Sequence, residues 1–268
     1  MDMTKYLKID GEKPLENIVT NGGYCSILRN IVCIGDSLSS GEFESRVDGK
    51  VDYHDNYEYS WGQFLARDAG CTVVNCSKGG MTAEKYVNKF ADERGFWDEE
   101  YKAQAYIIAL GVNDVSRVMD GKYELGEIGD VDVENYENNK PTVIGYYATI
   151  IAKYKEMQPK AKFFFVTPPK RGKDDERARL YDILQKRLYE LAEMFDNSYV
   201  IDLREYGPAH DTTFRESFFL GGHMNPMGYR LMATMIESYI DYIIRNDFNA
   251  FKQVGFIGTD YYNETVEN

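Results

Sequence analysis

Five short apolar runs, separated by segments with helical periodicity, constrain the fold of this 268-residue chain most strongly. The runs have no polar alternation, which is typical of strands in a parallel sheet that helices cover on both faces. Each connection is long enough to contain a helix, as parallel neighbours require. We therefore predict an α/β fold with a five-stranded parallel sheet, whose strands lie at 31–34, 71–75, 105–110, 163–166 and 199–201.

These units are connected in series, which predicts a single domain over residues 1–268 with its core at about 31–245. Residues 1–30 are interpreted as a lead-in that packs beside the sheet, and residues 246–268 as a tail with little pattern. The polar stretches 42–59 and 120–140 are predicted to be loops. Helices are predicted at 60–70, 82–90, 142–157, 174–195 and 226–244.

The charge of the chain argues against several classes of partner. A net charge of −13 does not suit nucleic acid or an anionic membrane, since both bind basic surfaces. No apolar run is long enough to cross a bilayer, and the first residues lack the apolar centre of a signal peptide. We therefore expect a cytoplasmic protein with buried, reduced thiols at Cys25, Cys33, Cys71 and Cys76.

Ser37 stands where a sheet of this kind places its chemistry. It follows the first apolar run in Gly35-Asp36-Ser37, and the carboxyl ends of parallel strands form the ligand-binding edge. Such a serine either caps the next helix or acts as a nucleophile. A nucleophilic serine needs a base. His223 is the best candidate among the three histidines, because the two glycines before it allow the backbone to bring its imidazole close to another loop.

Two further turns contain donors of the kind that stabilise an oxyanion during acyl transfer. Gly80 follows the second strand in a Gly-Gly pair, and Asn113 follows the third strand in Gly-Val-Asn-Asp. Each turn by itself is ordinary turn chemistry. Together with Ser37 and His223, however, they come in the order that a shared crevice requires. This convergence favours catalysis over capping.

The same blocks together resemble the SGNH, or GDSL, hydrolases. The resemblance implies a flavodoxin-like three-layer αβα sandwich, the SGNH hydrolase fold, and it implies no cofactor and no metal. It also implies that Ser37 is the nucleophile, that His223 is the base, and that the oxyanion hole consists of the Ser37 N–H, the Gly80 N–H and the Asn113 side chain. The match spans about residues 31–245 and consists of Gly35-Asp36-Ser37-Leu38-Ser39, Asn75 with Gly80 and Thr82, Gly111-Val112-Asn113-Asp114, and His223.

One position departs from the family. An aspartate that orients the imidazole usually stands three residues before the histidine, but position 220 is Leu220. Either a backbone carbonyl near Leu220 or Gly221 accepts from the ring, which makes a Ser–His dyad, or a carboxylate takes the role. Asp211 and Glu216 are the candidate carboxylates. The apolar residues just before Gly221 predict that this segment packs inward, which favours the dyad. Asp36 and Asp114 are expected to tie down backbone turns instead.

Substrate expectations rest on the resemblance and on a few side chains. Removal of O-acetyl groups from carbohydrates is frequent in this family, so the expected substrate is a small acyl ester, an acetylated sugar. A lipase or thioesterase is the nearest alternative, and a non-catalytic carbohydrate-binding relative is the alternative outside enzymes. No nucleic-acid or membrane partner is expected, and the sequence is compatible with a homo-oligomer. Candidate contacts for a sugar or an anionic group are Tyr53, His54, Tyr57, Tyr59 and Lys170-Arg171.

Overall fold

A five-stranded parallel sheet forms the centre of the molecule in the computed structural model, which describes residues 4–266. The strands of this part of the chain are β1 (Asn30–Gly35), β2 (Glu42–Val47), β3 (Lys50–Asp55), β4 (Thr72–Asn75), β5 (Ala105–Ala109), β6 (Lys162–Val166), β7 (Ser198–Ile201), β8 (Phe219–Leu220) and β9 (His223–Met224). The central sheet has the order β4-β1-β5-β6-β7. This is the flavodoxin-like order, and its reversal at β1 opens a crevice at the carboxyl ends of the strands.

Helices cover both faces of this sheet. The α-helices are α1 (Ser37–Ser40), α2 (Trp61–Ala69), α3 (Ala83–Lys85), α4 (Ala91–Arg94), α5 (Val112–Met119), α6 (Val143–Met157), α7 (Glu176–Met194), α8 (Leu203–Tyr206), α9 (Thr212–Phe218), α10 (Pro226–Asn246) and α11 (Phe248–Phe251). A π-helical turn, Tyr86–Phe90, joins α3 to α4, so the helix predicted over 82–90 continues to Arg94 with an interruption.

Alternating side chains of the central strands enter two apolar layers. Val32 and Ile34 of β1 belong to a buried cluster that includes residues of α6 and α7. Ile31 and Cys33 belong to a second cluster, with residues of α2 and α10. A strand that buries both of its faces needs apolar residues throughout, which explains the uninterrupted runs in the sequence. The predicted α/β sandwich with a five-stranded parallel sheet is confirmed.

Local sequence sets the ends of the helices as predicted. The Ser60 hydroxyl accepts a hydrogen bond from the Gln63 N–H at 3.2 Å and begins α2, which ends at Gly70 in the left-handed conformation. Pro226 occupies the first turn of α10, where its missing N–H costs nothing. The crossover helices therefore begin and end where the sequence indicated.

The polar segment 42–59 is not the loop that we predicted. β2 and β3 pair as an antiparallel hairpin, and residues 57–59 form a 3₁₀ turn. Every residue of β3 is exposed, so the hairpin lacks the apolar alternation by which a strand is recognised. The hairpin rises beside β1 at the carboxyl edge of the sheet.

The two ends of the chain pack on the body of the protein. Cys25 and Leu28 of the lead-in are fully buried with residues of α10. The buried Arg245 guanidinium binds the carboxylates of Glu12 at 2.6 Å and Asp241 at 2.7 Å, which fixes the lead-in to α10. The described part of the lead-in, residues 4–30, thus packs against α10, and residues 1–3 lie outside the described part. The tail is more structured than its sequence suggested, since α11 buries Phe251.

Within residues 4–266, no helix combines the length and the hydropathy needed to cross a membrane.

Candidate active site

The turn from β1 into α1 places Ser37 at the carboxyl edge of the sheet. Asp36 is the N-cap of α1, and its carboxylate accepts a hydrogen bond from the Leu38 N–H at 3.0 Å. Gly35 must be glycine here, because a Cβ atom would lie 2.2 Å from the Ser39 hydroxyl. Asp36 is therefore the capping residue of α1, and the Ser37 hydroxyl is not the cap.

Asn113 connects the turns that follow three neighbouring strands. It lies in the first turn of α5, after β5, and its side-chain amide donates to Asp36 at 3.2 Å and to the Met81 carbonyl at 3.1 Å. Asp36 belongs to the turn after β1, and Met81 belongs to the turn after β4. Ser37 and Asn113 are thus brought to one place, as predicted from their positions at strand ends.

Two buried aspartates hold these turns in shape. The Asp114 carboxylate accepts from the N–H groups of Ala83 at 2.8 Å and Gly111 at 3.0 Å. Asp36 makes the bonds to Leu38 and Asn113 described above. Burial raises the pKa of Asp36 to about 7 and that of Asp114 to about 6. The expectation that both aspartates fix backbone turns is confirmed.

Gly79 and Gly80 form the turn after β4. Gly80 has a φ of +68°, in the left-handed region that favours glycine, and a Cβ atom there would meet nothing within 4 Å. The side of Gly80 that a side chain would occupy is therefore open. A Cβ atom on Gly79 would instead lie 2.2 Å from Glu42 Oε2, so the hairpin places a carboxylate directly against this turn.

His223 lies in the short antiparallel pair β8–β9 that precedes α10. The turn between the strands uses Gly221, with a φ of +72°. Strand β9 packs against α1 and against β2, which brings the imidazole to the edge where Ser37 lies. Leu220 is 49% exposed, so the expectation that this segment packs inward is wrong for its last residue.

Two carboxylates of β2 flank the imidazole of His223. Nδ1 lies 3.0 Å from Glu44 Oε1, and Nε2 lies 3.0 Å from Glu42 Oε1. Residues two apart on a strand share a face, which is why both glutamates reach one ring. Tyr53, opposite Glu44 in the hairpin, packs edge-on against the imidazole with ring centroids 5.7 Å apart. Sequence reasoning missed both glutamates because it treated the segment as a loop, and it named Tyr53 only as a candidate sugar contact.

The acidic candidates from the sequence lie elsewhere. The Asp211 carboxylate caps α9 by accepting from the Phe214 N–H at 2.9 Å, and Glu216 is exposed on the same helix. The Gly221 carbonyl accepts from the Arg215 guanidinium at 2.9 Å. Among the described residues, the groups that hydrogen-bond to the ring nitrogens of His223 are Glu42 and Glu44.

The other two histidines have different surroundings. The His210 ring stacks on Phe214 with centroids 4.1 Å apart, and its burial, together with the charge of Arg215, lowers the pKa of His210 to about 4. His54 lies on the exposed hairpin, with Nε2 2.8 Å from the Ser45 hydroxyl. The sequence preference for His223 as the base agrees with these environments.

The tyrosines predicted as candidate sugar contacts also differ in their surroundings. Tyr57 donates its hydroxyl to the Val73 carbonyl at 3.0 Å and packs inward, and Tyr59 packs edge-on against Phe43. Tyr53 is 56% exposed beside His223, where its ring is available to a ligand.

A pocket of about 700 Å³ adjoins this edge of the sheet. Its inner wall includes Leu38, Val112 and Gly222, which are the chain neighbours of Ser37, Asn113 and His223. Arg171 and Lys173, in the loop after β6, form part of the far wall. The pocket therefore combines mainly apolar walls with charged side chains of both signs, since Asp211 and Glu216 line it as well.

The family follows from a comparison with known protein families. Residues 33–231 match the model of the GDSL-like lipase/acylhydrolase family, and this range includes all four of the residues considered above, Ser37, Gly80, Asn113 and His223. The chain belongs to the GDSL-like lipase/acylhydrolase family. The resemblance seen in the sequence is thereby confirmed. No curated protein sequence matches the chain significantly.

Solved structures similar to this GDSL-family chain include carbohydrate esterases. The acetyl xylan esterase AlAXEase has a TM-score of 0.52 at 15% identity, covering 79% of this chain and 99% of that one. A family two carbohydrate esterase from Clostridium thermocellum, in complex with cellohexaose, has a TM-score of 0.55 at 15% identity, covering 90% and 67%. A family 2 enzyme from Corynascus thermopiles (Myceliophthora fergusii) has a TM-score of 0.52 at 14% identity, covering 79% and 65%. At these identities the likeness shows the shared fold.

Proposed function

We propose that this GDSL-family acylhydrolase is a serine esterase that removes small acyl groups, acetyl above all, from a carbohydrate. The observation that carries the proposal is the bond from Asn113 to Asp36, which joins the turn of the serine to the turn of the amide donor. His223 lies at the same edge on a strand that packs against α1. A nucleophile, a base and amide donors at one edge are what acyl transfer requires.

In the proposed reaction, the Ser37 hydroxyl attacks the acyl carbonyl while His223 Nε2 takes its proton. The oxyanion that forms collapses as His223 returns the proton to the departing sugar hydroxyl, which leaves an acyl-enzyme. Water then attacks the acyl carbon, with His223 again accepting a proton, and the acid leaves. Nε2 contacts Glu42 at 3.0 Å before substrate binds, so this contact has to be exchanged for one with Ser37.

The oxyanion would bind to the N–H groups of Ser37 and Gly80 and to the Asn113 amide. Gly80 suits this role because, within the described residues, its N–H donates no hydrogen bond to another group. The Asn113 amide already donates to Asp36 and to the Met81 carbonyl. An oxyanion would share this amide with those two acceptors.

One feature supports a small acyl group. The Glu42 carboxylate lies directly against Gly79, beside the proposed oxyanion donors, which leaves little space there for a long chain.

Two other observations support a carbohydrate as the alcohol. The exposed Tyr53 ring beside the base can stack on a sugar face while its hydroxyl stays in water. Similar structures include an acetyl xylan esterase and an esterase in complex with cellohexaose, which points in the same direction.

The proposal is tested with a panel of p-nitrophenyl esters and acetylated xylo-oligosaccharides on the wild type and Ser37→Ala. We expect kcat/KM to be highest for acetyl esters and to fall as the acyl chain lengthens. Ser37→Ala should lower kcat by about 10⁵-fold or more, since loss of a serine nucleophile costs on that order. Equal turnover by the variant would refute the serine mechanism. Faster hydrolysis of octanoyl than of acetyl esters would refute the substrate class.

A further inference from the structure

The base of the proposed esterase lacks an acidic partner in its own segment of chain. Position 220, three residues before His223, carries an exposed leucine. Asp211 is used as the cap of α9. A histidine that relays a proton needs a group that fixes its tautomer and stabilises its charged form. The partner therefore has to come from another part of the molecule.

Glu44 of β2 occupies the position that such a partner requires. Its Oε1 atom lies 3.0 Å from His223 Nδ1, the nitrogen remote from the one that contacts Glu42. The same oxygen accepts a hydrogen bond from the Gly222 N–H. The Glu44 side chain is only 8% exposed, so water competes weakly for this carboxylate. The carboxylate is thus fixed at both the ring and the backbone of the histidine segment.

The glycine pair before His223 is shaped around this carboxylate. A Cβ atom on Gly221 would lie 2.0 Å from Glu44 Oε2, and one on Gly222 would lie 2.4 Å from Oε1. Both distances are far below any contact that real side chains make, so a larger residue at either position would expel the carboxylate from the ring. The left-handed φ of Gly221 explains why position 221 is glycine. The close approach of Glu44 explains why positions 221 and 222 are both glycine.

We propose that Glu44 is the positioning residue of the catalytic base, supplied by the β2–β3 hairpin in place of the aspartate that the family has three residues before its histidine. Its carboxylate accepts the Nδ1–H of His223, which leaves the Nε2 lone pair for the Ser37 proton, and it stabilises the imidazolium that then forms. This inference rests on the proposed esterase function.

Glu42, the other glutamate of the pair, does not fit this role. It contacts Nε2, the nitrogen that must take the proton of the serine, and it leans on the Gly79 turn. An anion at that nitrogen competes with the serine. Glu42 is therefore a matched comparison for Glu44, since both residues come from one strand and contact one ring at the same distance.

The test compares Glu44→Gln and Glu44→Asp with Asp211→Asn and Glu216→Gln. We expect Glu44→Gln to lower kcat for an aryl acetate by roughly 10²- to 10³-fold with little change in KM, somewhat less than the loss caused by removing a fully buried triad aspartate. We expect Glu44→Asp to recover at least about tenfold of that loss. The acidic limb of the kcat/KM profile should move to lower pH in Glu44→Gln, because the anion that favours the protonated ring is gone. The two control variants should lose far less kcat than Glu44→Gln, since neither carboxylate contacts the imidazole.

A second substitution tests the contact between Glu44 and His223 without removing the charge of Glu44. Gly222→Ala leaves Glu44 intact but fills the space of its carboxylate, so it should lower kcat to a similar degree. The double variant Gly222→Ala with Glu44→Gln should be little worse than either single variant, since both remove one interaction. Additive losses, or a Glu44→Gln enzyme that keeps more than about a third of wild-type kcat, would overturn the proposal. These outcomes presuppose a wild type whose activity depends on Ser37, so failure of the esterase function itself is recognised from the wild type and Ser37→Ala alone.

Discussion

The two sides of the cleft are built in different ways. On one side, Ser37, Gly80 and Asn113 follow central strands directly, and buried aspartates tie their turns together. On the other side, His223 sits on a two-residue strand outside the central sheet, flanked by a hairpin whose outer strand is exposed throughout. The first side is fixed by the core, and the second is fixed by a few polar contacts between surface elements.

Because of this difference, substitutions on the two sides should affect stability and activity differently. Substitutions on the nucleophile side disturb buried hydrogen bonds, and an unpaired buried polar group costs stability as well as function. Substitutions on the base side act on partly buried side chains that contact one another outside the central sheet, so they should change the reaction more than the folding. The following predictions test this contrast, beginning with the largest effect.

His223→Ala should abolish activity without loss of stability. We expect kcat for an aryl acetate to fall by about 10⁵-fold or more, as when the base of a serine hydrolase is removed. The melting temperature should stay within a few degrees of the wild type. Asp211→Asn, which removes a carboxylate of the neighbouring helix, should cost far less activity. Equal losses in the two variants would indicate that Asp211, and not the hairpin, completes the site.

Asn113→Ala should damage both activity and stability. Loss of one oxyanion donor typically lowers kcat by roughly 10²- to 10³-fold. The same change removes the Asn113 donor from Asp36 Oδ2 and from the Met81 carbonyl, which should cost about 1–3 kcal/mol in the free energy of unfolding. Steady-state kinetics and urea unfolding measure the two effects. A variant that loses activity but keeps full stability would contradict the contrast between the two sides.

Glu42→Gln should have a smaller and pH-dependent effect. Burial, with the charges of Asp55 and Glu44, raises the pKa of Glu42, while His223 opposes this shift. Removing this charge weakens the contact at Nε2 that competes with the serine, so the acidic limb of the kcat/KM profile should move to lower pH. Unlike Glu44→Gln, this variant should keep kcat within about tenfold of the wild type at pH 8. A loss as large as that of Glu44→Gln would show that Glu42 also positions the base.

Asp36→Asn should change how stability depends on pH. Burial raises the pKa of Asp36 from 3.8 to about 7, so the folded state binds this proton more tightly than the unfolded state. The contribution of this carboxyl is fully present below about pH 4 and is lost as the pH rises through about 7. Between these values, the free energy of unfolding should therefore fall more steeply in the wild type than in the variant. Parallel curves from urea unfolding at several pH values would contradict the assignment.

The sequence predicts the nucleophile side well, because each of its residues follows a strand that can be recognised from the neighbouring sequence. Apolar runs mark the buried strands, and each candidate residue follows a strand end, so the shared edge of a parallel sheet brings Ser37 and Asn113 together. The α/β fold and the GDSL family are confirmed on this basis. The assignment of one domain stays a prediction, as do the roles of the individual site residues.

The base side could not be predicted to the same depth. The hairpin has no apolar face, so periodicity does not reveal it, and the contact between Glu44 and His223 joins residues 179 positions apart. The glycines before His223 correctly indicated a close approach to another loop, but they did not identify the partner. Glu42 and Glu44, at alternate positions of β2, indicate partners for the imidazole only once it is known that this strand faces His223.

The central claim is that Ser37 is a nucleophile activated by His223, and labelling with a fluorophosphonate tests it most directly. Peptide mass spectrometry of the labelled wild type should locate one adduct on Ser37, and the rate of labelling should fall by at least about 10³-fold in His223→Ala. A serine that stays unlabelled, or one that reacts equally fast without His223, would contradict the account.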